Sequence, residues 1–295
     1  QFSCNAAITA TDGSIFNTGV SAQTAAVSAA GKIAASNINV TGYTVITAGG
    51  ELDGLTVTAD GEILPEGSDL AVYAEGSWIV GGEYIAENGS IKLAATEGNV
   101  VGAIATAKNG DYSVTIEAVQ GELDNVVVSQ KGDIFLTAKG LTSGSYISEE
   151  GNIRLTATEQ DISGVYAKAK LGFVEITTLG KSLDIIGTTA DAYLYAVLTA
   201  SGSIVDSAAV SSTSYAEMAA EEIRGSIISS AAAAEGTRAG EYAAKAAAKT
   251  ISDLSIVTGG SALVSAETVN SLTAVAAGSI DITAGAVTAA VLKAG

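Results

Sequence analysis

The stretch "GNIRLTATEQDISG" (151–164) opens and closes on glycine, and in its first half every second residue is apolar. A closely similar stretch, "GSIKLAATEGNVVG", lies at 89–102. Apolar and polar side chains that alternate with a period of two are typical of a β-strand, because successive side chains point to opposite faces. The recurrence of the whole stretch predicts a repeat protein.

Glycines open such phrases at nearly constant intervals along the chain: Gly89, Gly110, Gly132, Gly151 and Gly172. When the phrases are stacked, alternate positions form three columns that we expect to face inward. The first column holds Ile91, Tyr112, Ile134, Ile153 and Val174; the second holds Leu93, Val114, Leu136, Leu155 and Ile176; the third holds Ala95, Ile116, Ala138, Ala157 and Thr178. One of the columns between them is expected to form an outward threonine ladder: Ala94, Thr115, Thr137, Thr156 and Thr177.

A second phrase is interleaved with the first, as "ELDGLTVTA" (51–59), "NVVGAIATA" (99–107), "ELDNVVVSQ" (122–130) and "DISGVYAKA" (161–169). Its apolar residues are spaced by three positions and then by two, which indicates a corner between two strands. Residue types that tolerate a positive φ occupy the corner: Gly54, Gly102, Asn125 and Gly164. The phrase "KSLDIIGTTA" (181–190) departs from the pattern, with Ile185 at the corner site.

These short strands and corners predict an all-β fold, a right-handed parallel β-helix (β-solenoid) with coils of about 21 residues. A sandwich built from hairpins is the alternative, and it would require Asn-Gly or Asp-Gly loops between longer strands. We interpret residues 1–295 as a single solenoid domain. Its parts are irregular N-terminal coils (1–49), regular coils (50–204), an alanine-rich irregular part (205–253) and C-terminal coils (254–295).

The alanine-rich part leaves two interpretations open between residues 214 and 249. "SYAEMAAEEIRG" (214–225) resembles a capped helix, with Ser214 and Glu217 as a capping box, and "AAAAEGTRAGEYAAKAAAK" (231–249) also favours a helix. Against a helical excursion, Gly202 and Gly225 both open "GSI" phrases, and their separation is that of one slightly longer coil.

The phrases "GDIFLTAKG", "GNIRLTATE" and "GSIDITAGA" resemble the repeats of the filamentous haemagglutinin type, which occur in large secreted bacterial adhesins. The resemblance covers about two thirds of the chain, mainly 50–200 and 255–290. It implies a right-handed β-helix that is exported and displayed outside the cell.

The composition argues against most kinds of catalytic and metal-binding site. The chain has no histidine and one cysteine, which excludes triad and zinc arrangements for practical purposes, and no phosphate-binding loop is present. With 14 basic and 32 acidic residues the net charge is −18, which repels nucleic acids and anionic lipids. We therefore expect no catalytic residue, no cofactor, no metal site, no nucleic-acid partner and no membrane insertion.

A few side chains remain as candidates for intermolecular contacts: Cys4, Trp78 and Phe135. Exposed aromatic residues could also bind glycans, and the sequence offers Tyr84, Tyr146 and Tyr166 besides Trp78 and Phe135. Asp53, Asp124 and Asp184 recur at one position of the second phrase, where stacking would give an acidic row near a corner. We interpret this row as a solvated edge rather than a cation site.

The expected function is that of an extracellular structural protein, a rod-like subunit that assembles end to end into a filament or surface fibre. Its expected partner is a further copy of itself, joined through unpaired strand edges. The alternative is a stalk segment of a large secreted adhesin that binds surface glycans or neighbouring cells. The chain starts at Gln1 and has its one methionine at Met218, so we expect secretion with N-terminal processing before Gln1.

Overall fold

The computed structural model describes residues 4–231 and 242–295. These residues divide into two compact units. The first unit comprises the described residues up to 139 together with residues 143–151, and the second comprises residues 140–142 together with the described residues from 152 onward. Both units are parallel β-solenoids, and strands are numbered along the chain. The described residues contain no helix, and hence none that could cross a membrane.

Each turn of the first unit has three sides. The first side is a strand of five to seven residues: β1 (Asn5–Ala10), β4 (Thr24–Ala29), β7 (Thr44–Ala48), β10 (Leu70–Gly76), β13 (Ser90–Ala95), β16 (Val114–Ala118) and β19 (Ile134–Ala138). The second side has two residues: β2 (Ile15–Phe16), β5 (Ile33–Ala34), β8 (Leu52–Asp53), β11 (Ile79–Val80), β14 (Val100–Val101) and β17 (Leu123–Asp124). The third side has four: β3 (Gly19–Ala22), β6 (Asn37–Val40), β9 (Thr56–Ala59), β12 (Glu83–Ala86), β15 (Ile104–Ala107), β18 (Val127–Gln130) and β21 (Ser145–Ser148).

The second unit repeats this arrangement. Its first sides are β22 (Ile153–Ala157), β25 (Val174–Thr178), β28 (Ala196–Thr199) and β31 (Ala216–Ala219). Its second sides are β20 (Leu141–Thr142), β23 (Ile162–Ser163), β26 (Ile185–Ile186), β29 (Ser203–Val205) and β32 (Glu222–Arg224). Its third sides are β24 (Tyr166–Ala169), β27 (Thr189–Ala192), β30 (Ala208–Ser211), β33 (Ile227–Ser230), β35 (Leu254–Thr258), β37 (Leu272–Ala276) and β39 (Ala290–Ala294). In the last turns the first two sides merge into one strand: β34 (Ala244–Ser252), β36 (Ala262–Val269) and β38 (Ile280–Val287).

Within each unit, equivalent sides of successive turns pair in parallel. The predicted parallel solenoid is therefore confirmed, and the hairpin sandwich is wrong. The right-handed sense of the winding stays a prediction from chain chirality. Inward-facing aliphatic side chains such as Ile91, Leu93 and Ile176 are completely buried, so the core of each unit is a stack of aliphatic rows.

The predicted columns are on the correct face, but one phrase is shifted. Ile91 pairs with Val114 rather than lying over Tyr112, and Leu93 pairs with Ile116 rather than Val114. A shift of two positions keeps every side chain on its face, so the period of two cannot reveal it. The threonine ladder is interrupted for the same reason, because Ala94 pairs with Glu117. In the second unit the ladder runs through Thr156, Thr177 and Thr199.

The corner after each two-residue side is the most regular feature of the turn. Gly54, Gly102, Asn125 and Gly164, predicted at this corner, have φ values of 59°, 63°, 52° and 65°. In the phrase at 181–190 the corner is Gly187, with φ of 56°, while Ile185 lies in β26 beside Ile162. That phrase keeps the corner, which the sequence pattern placed two positions too early.

The coil length also varies more than the sequence suggested. Successive turns are about 19 residues apart. The separation between paired residues ranges from 18 (Ala262 and Ile280) to 28 (Thr44 and Val72). The coil that separates Ala262 from its partner Ile280 is shorter than the coil that separates Ile91 from its partner Val114. The predicted length of about 21 residues lies within this range, and the two longest coils, from Thr44 to Val72 and from Ala216 to Ala244, lie outside the repeats from which it was derived.

Of the two interpretations left open for 214–225, the helix is wrong and the alanine-rich coil is confirmed, because this segment contains β31 and β32. Ala216 and Met218 lie beside Ala196 and Leu198 in the inward rows and are buried. Burial between neighbouring turns overrides the helical preference of alanine. Of the second alanine-rich segment, residues 232–241 lie outside the described residues, and residues from Ala244 onward form β34.

Candidate interaction surfaces

The three residues predicted as intermolecular contacts lie on different turns of the first unit and form no common site. Cys4 is an exposed free thiol just before β1. Trp78, between β10 and β11, is 44% exposed, and Phe135 in β19 is half-buried. The Trp78 ring lies directly on Gly98 of the next turn, where a Cβ atom would come within 2.0 Å of the ring. Trp78 therefore covers its neighbouring turn with one part of the ring and leaves another part exposed.

Two of the tyrosines expected on the surface are in the core. Tyr84 and Tyr146 are fully buried, and only Tyr166, at 38% exposure, has an open side chain. Tyr84 occupies the inward row of the third side between Val57 and Ala105, and the small Ala105 leaves space for the phenol. Neither buried hydroxyl has a hydrogen-bonding partner among the described residues. Burial raises the pKa of both hydroxyls above the ordinary value of 10.0.

The predicted acidic row does not form. Asp53 and Asp124 share one row, but Val80 and Val101 separate them. Asp184 lies outside that row, where its Oδ1 accepts a hydrogen bond from the backbone N–H of Ser203. Within residues 4–231 and 242–295 no three acidic, cysteine or histidine side chains cluster as metal ligands would.

Most ion pairs among the described residues connect successive turns. In the first unit the Lys32 Nζ lies 2.7 Å from Asp53 Oδ2 and 3.1 Å from Glu51 Oε2, and hydrogen bonds to these carboxylates raise the pKa of Lys32. In the second unit Arg154 pairs with Glu175, and Lys168 with Asp191. Because basic side chains are fewer than acidic ones, these pairs leave a surplus of carboxylates on the surface.

An aromatic stack that the sequence interpretation missed lies on the second unit. The rings of Phe173 and Tyr195 stack at 4.6 Å, and those of Tyr195 and Tyr215 at 5.0 Å. Arg154 lies over Phe173 and Lys245 over Tyr215, so both outer ring faces are covered by cations. Desolvation, with a hydrogen bond to Glu175, raises the pKa of Tyr195 to about 12. Aromatic residues that recur once per coil were the available signal, and the stack stabilises successive turns.

A shallow groove of about 900 Å³ crosses β31, β34, β36 and β38 in the second unit. Small side chains form its floor, among them Ala219, Ala247 and Ala266. An ion pair of 2.6 Å between Glu221 and Lys249 lies at its margin. The groove is a consequence of small outward residues on neighbouring turns.

An exposed apolar surface lies on the turn of β38 and β39, which we call the end surface. Ile282, Val287 and Leu292 occupy inward rows, yet Ile282 is partly exposed and the other two are each 48% exposed. Their neighbours one turn earlier, Val264, Val269 and Ala274, are completely buried. β38 and β39 pair on one side, with β36 and β37, and no described strand pairs on the other. The end surface therefore combines apolar side chains with free backbone hydrogen-bonding groups.

No protein-family model, curated protein or solved structure matches the chain. The fold and its surfaces therefore carry the functional argument.

Proposed function

We propose that the chain is a non-enzymatic, extracellular structural protein whose copies assemble end to end into a filament or surface fibre. The observation that supports this proposal is the parallel stacking of turns with matched aliphatic rows, which a turn of a second copy can continue beyond β38 and β39. One further turn stacked on the end surface would cover Ile282, Val287 and Leu292. It would also pair the free backbone edge, which would otherwise be open to any strand.

The energy available at this joint is considerable. Burying the exposed parts of Ile282, Val287 and Leu292 contributes about 1 kcal/mol for each side chain, by analogy with partial burial of aliphatic residues elsewhere. Backbone hydrogen bonds along two strands add to this, at about 1 kcal/mol or less for each bond. These gains offset the loss of translational and rotational freedom on association, so the joint needs matched rows and paired backbone along both strands.

The first turn of another copy, with β1 to β3, is the surface that fits. Ala6, Ile8 and Ala10 are the inward residues of β1 and are each partly exposed. The first turn and the last turns have nearly the same length, as the pairing of Asn5 with Thr24 and of Ala262 with Ile280 shows. Turns of nearly equal length place their corners over one another, so the rows can continue from one copy to the next.

The charge distribution permits such a joint. Residues 1–50 contain one acidic and one basic side chain, Asp12 and Lys32. Residues 254–295 contain two acidic side chains and one basic side chain. Almost all of the net charge of −18 therefore lies between these segments, so end-to-end contact brings few like charges together.

The test uses two variants that each block one surface. Ile8→Glu places a charge on the first turn, and Ile282→Glu places one on the end surface. We expect the wild-type chain to form filaments in electron micrographs and each variant alone to remain a single particle. A mixture of the two variants retains one intact joint and should give dimers that do not grow further, because the joint is head-to-tail.

Val45→Glu is the matched control, since Val45 is exposed on the outer face of β7 and belongs to neither surface. This variant should form filaments like the wild-type chain. Circular dichroism of all variants checks that the fold is intact. Wild-type particles that stay single at high concentration would contradict the proposal.

A second function, a stalk segment of a large secreted adhesin, is favoured by the resemblance of "GNIRLTATE" (151–159) to filamentous-haemagglutinin-type repeats. On this proposal the recognition of glycans or neighbouring cells involves exposed aromatic residues such as Trp78. The mass of the secreted protein distinguishes the two, because a stalk belongs to a much larger polypeptide. Loss of glycan binding in Trp78→Ala, with Phe135→Ala as a less exposed comparison, would support the adhesin.

A further inference from the structure

The outer face of the third side in the first unit is almost uncharged, and its last four strands add aliphatic side chains to a background of threonine and serine. Its outward residues on β12, β15, β18 and β21 include Ile85, Ile104, Val127 and Ile147, and Ile104 and Val127 are 43% and 37% exposed. Thr106 and Ser129 lie between them. We call these six residues the flat face. Strands about 4.8 Å apart with β-branched side chains form the kind of surface on which another sheet can pack.

Charges of both signs border the flat face. Just beyond the ends of β12 and β15, Glu87 and Lys108 form an ion pair, and Lys131 pairs with Glu150 beyond β18 and β21. Glu83 is the one charged residue among the outward positions of the third-side strands β3 to β21 in this unit. A centre that is poor in charge, with charged residues at its border, is typical of protein interfaces.

We infer that the flat face is a lateral contact between copies of this chain, which pairs neighbouring filaments side by side; the inference rests on the proposed function. A second copy is the occupant that the charge favours. A chain of net charge −18 approaches another copy with least repulsion where the facing surfaces are neutral and the borders carry both signs. The second copy also has the same strand spacing, so side chains of the two sheets can interdigitate turn after turn.

The small contact area explains why side-by-side pairing requires copies that are already joined end to end into filaments. Four strands at about 4.8 Å with four residues of about 3.3 Å each give roughly 250 Å² per copy. A stable interface between two separate proteins buries about 800 Å² per partner. The lateral contact of single copies is therefore weak, whereas copies joined into a filament make many contacts at once, and these add in effect.

The experiment compares filament pairing in the wild-type chain with that in an Ile104→Glu/Val127→Glu variant, by electron microscopy. We expect wild-type filaments to lie in pairs or bundles. The variant should form filaments of normal length with about tenfold fewer pairs, because like charges would face each other across the contact. Val45→Glu, on the outer face of β7, is the matched control and should leave pairing unchanged.

A second measurement places the flat face directly in the contact. Thr106→Cys in a Cys4→Ser background should give disulfide-linked copies after mild oxidation of filaments, and none after oxidation of single particles. Filaments that never pair, or that pair equally well in the double glutamate variant, would overturn this inference and leave end-to-end assembly standing. A wild-type chain that forms no filaments would overturn both, because the single-copy contact is too small.

Discussion

The turn of β36 and β37 and the turn of β38 and β39 have the same pattern of residues but different surroundings. Val269 is completely buried in the first, whereas its partner Val287 in the second is 48% exposed. The inward direction of a side chain is a property of its strand, but its burial depends on the turns on both sides. The comparison teaches that the inward residues of a solenoid turn are fully buried only when turns on both sides cover them.

The most direct test of this difference is to remove the same side-chain atoms from an interior turn and from the last turn and to compare the losses of stability. Ile176 and Ile282 lie in the same row of the second unit, and Ile176 is completely buried. We expect Ile176→Ala to lower the free energy of unfolding by about 3 kcal/mol, through lost burial and the cavity left behind. Ile282→Ala should lower it by about 1 kcal/mol or less, because Ile282 is covered on one side.

Urea denaturation of the dilute, single-particle protein measures both values. Equal losses for the two variants would mean that the last turn is covered as well as the interior turns are. Such a result would contradict an exposed end surface.

A buried polar atom offers a second test of how burial in the interior turns affects stability. The Tyr84 hydroxyl is enclosed without a partner among the described residues, so Tyr84→Phe should raise the free energy of unfolding by about 1–2 kcal/mol. Tyr166→Phe, at an exposed position, should change it by less than about 0.5 kcal/mol. Thermal unfolding of both variants beside the wild-type chain is the measurement. A destabilised Tyr84→Phe would show that the hydroxyl is needed.

The same tyrosines predict a dependence on alkaline pH. Burial raises the pKa of Tyr84 and Tyr146 in the folded chain above the ordinary value of 10.0. Above about pH 10 the unfolded chain therefore loses protons that the folded chain keeps, and stability falls as the pH rises. Melting temperatures between pH 8 and pH 11, chosen to span the ordinary tyrosine pKa near 10, should fall less steeply in a Tyr84→Phe/Tyr146→Phe variant than in the wild-type chain.

The smallest expected effects are at the corners, which interior and terminal turns share. Gly102 has a φ of 63° and open space where a Cβ would lie, so Gly102→Ala tests backbone strain alone. We expect a loss of about 1 kcal/mol. Ala35 holds a φ of 49° at the equivalent corner, and Ala35→Gly should give a gain of about 0.5 kcal/mol.

Ala26→Gly, in an extended exposed position of β4, is the control for the corner variants and should be destabilising. Denaturation curves under identical conditions give the three values. A gain in Ala26→Gly as large as that in Ala35→Gly would mean that the left-handed backbone is not the cause.

The candidate surfaces were harder to predict than the fold. Trp78 was correctly identified as an exposed aromatic residue, but Tyr84 and Tyr146 were placed on the wrong side of their strands. A large phenol at an inward position is accepted because Ala105 of the next turn is small, and such a pairing between turns depends on register. In the sequence, the residues of the end surface show the same alternation of apolar and polar residues as the buried rows of other turns.

The sequence by itself determined the alternation of each strand, the corners at Gly54, Gly102, Asn125 and Gly164, and so the parallel solenoid. These features are local, since a period of two and a positive φ are properties of single strands and residues. The tertiary structure alone decided the register of Val114 on Ile91 and the strands formed by the alanine-rich residues around Met218. Each of these depends on which turn lies next to which, and hydrogen bonds and burial between turns decide that beyond the reach of local preference.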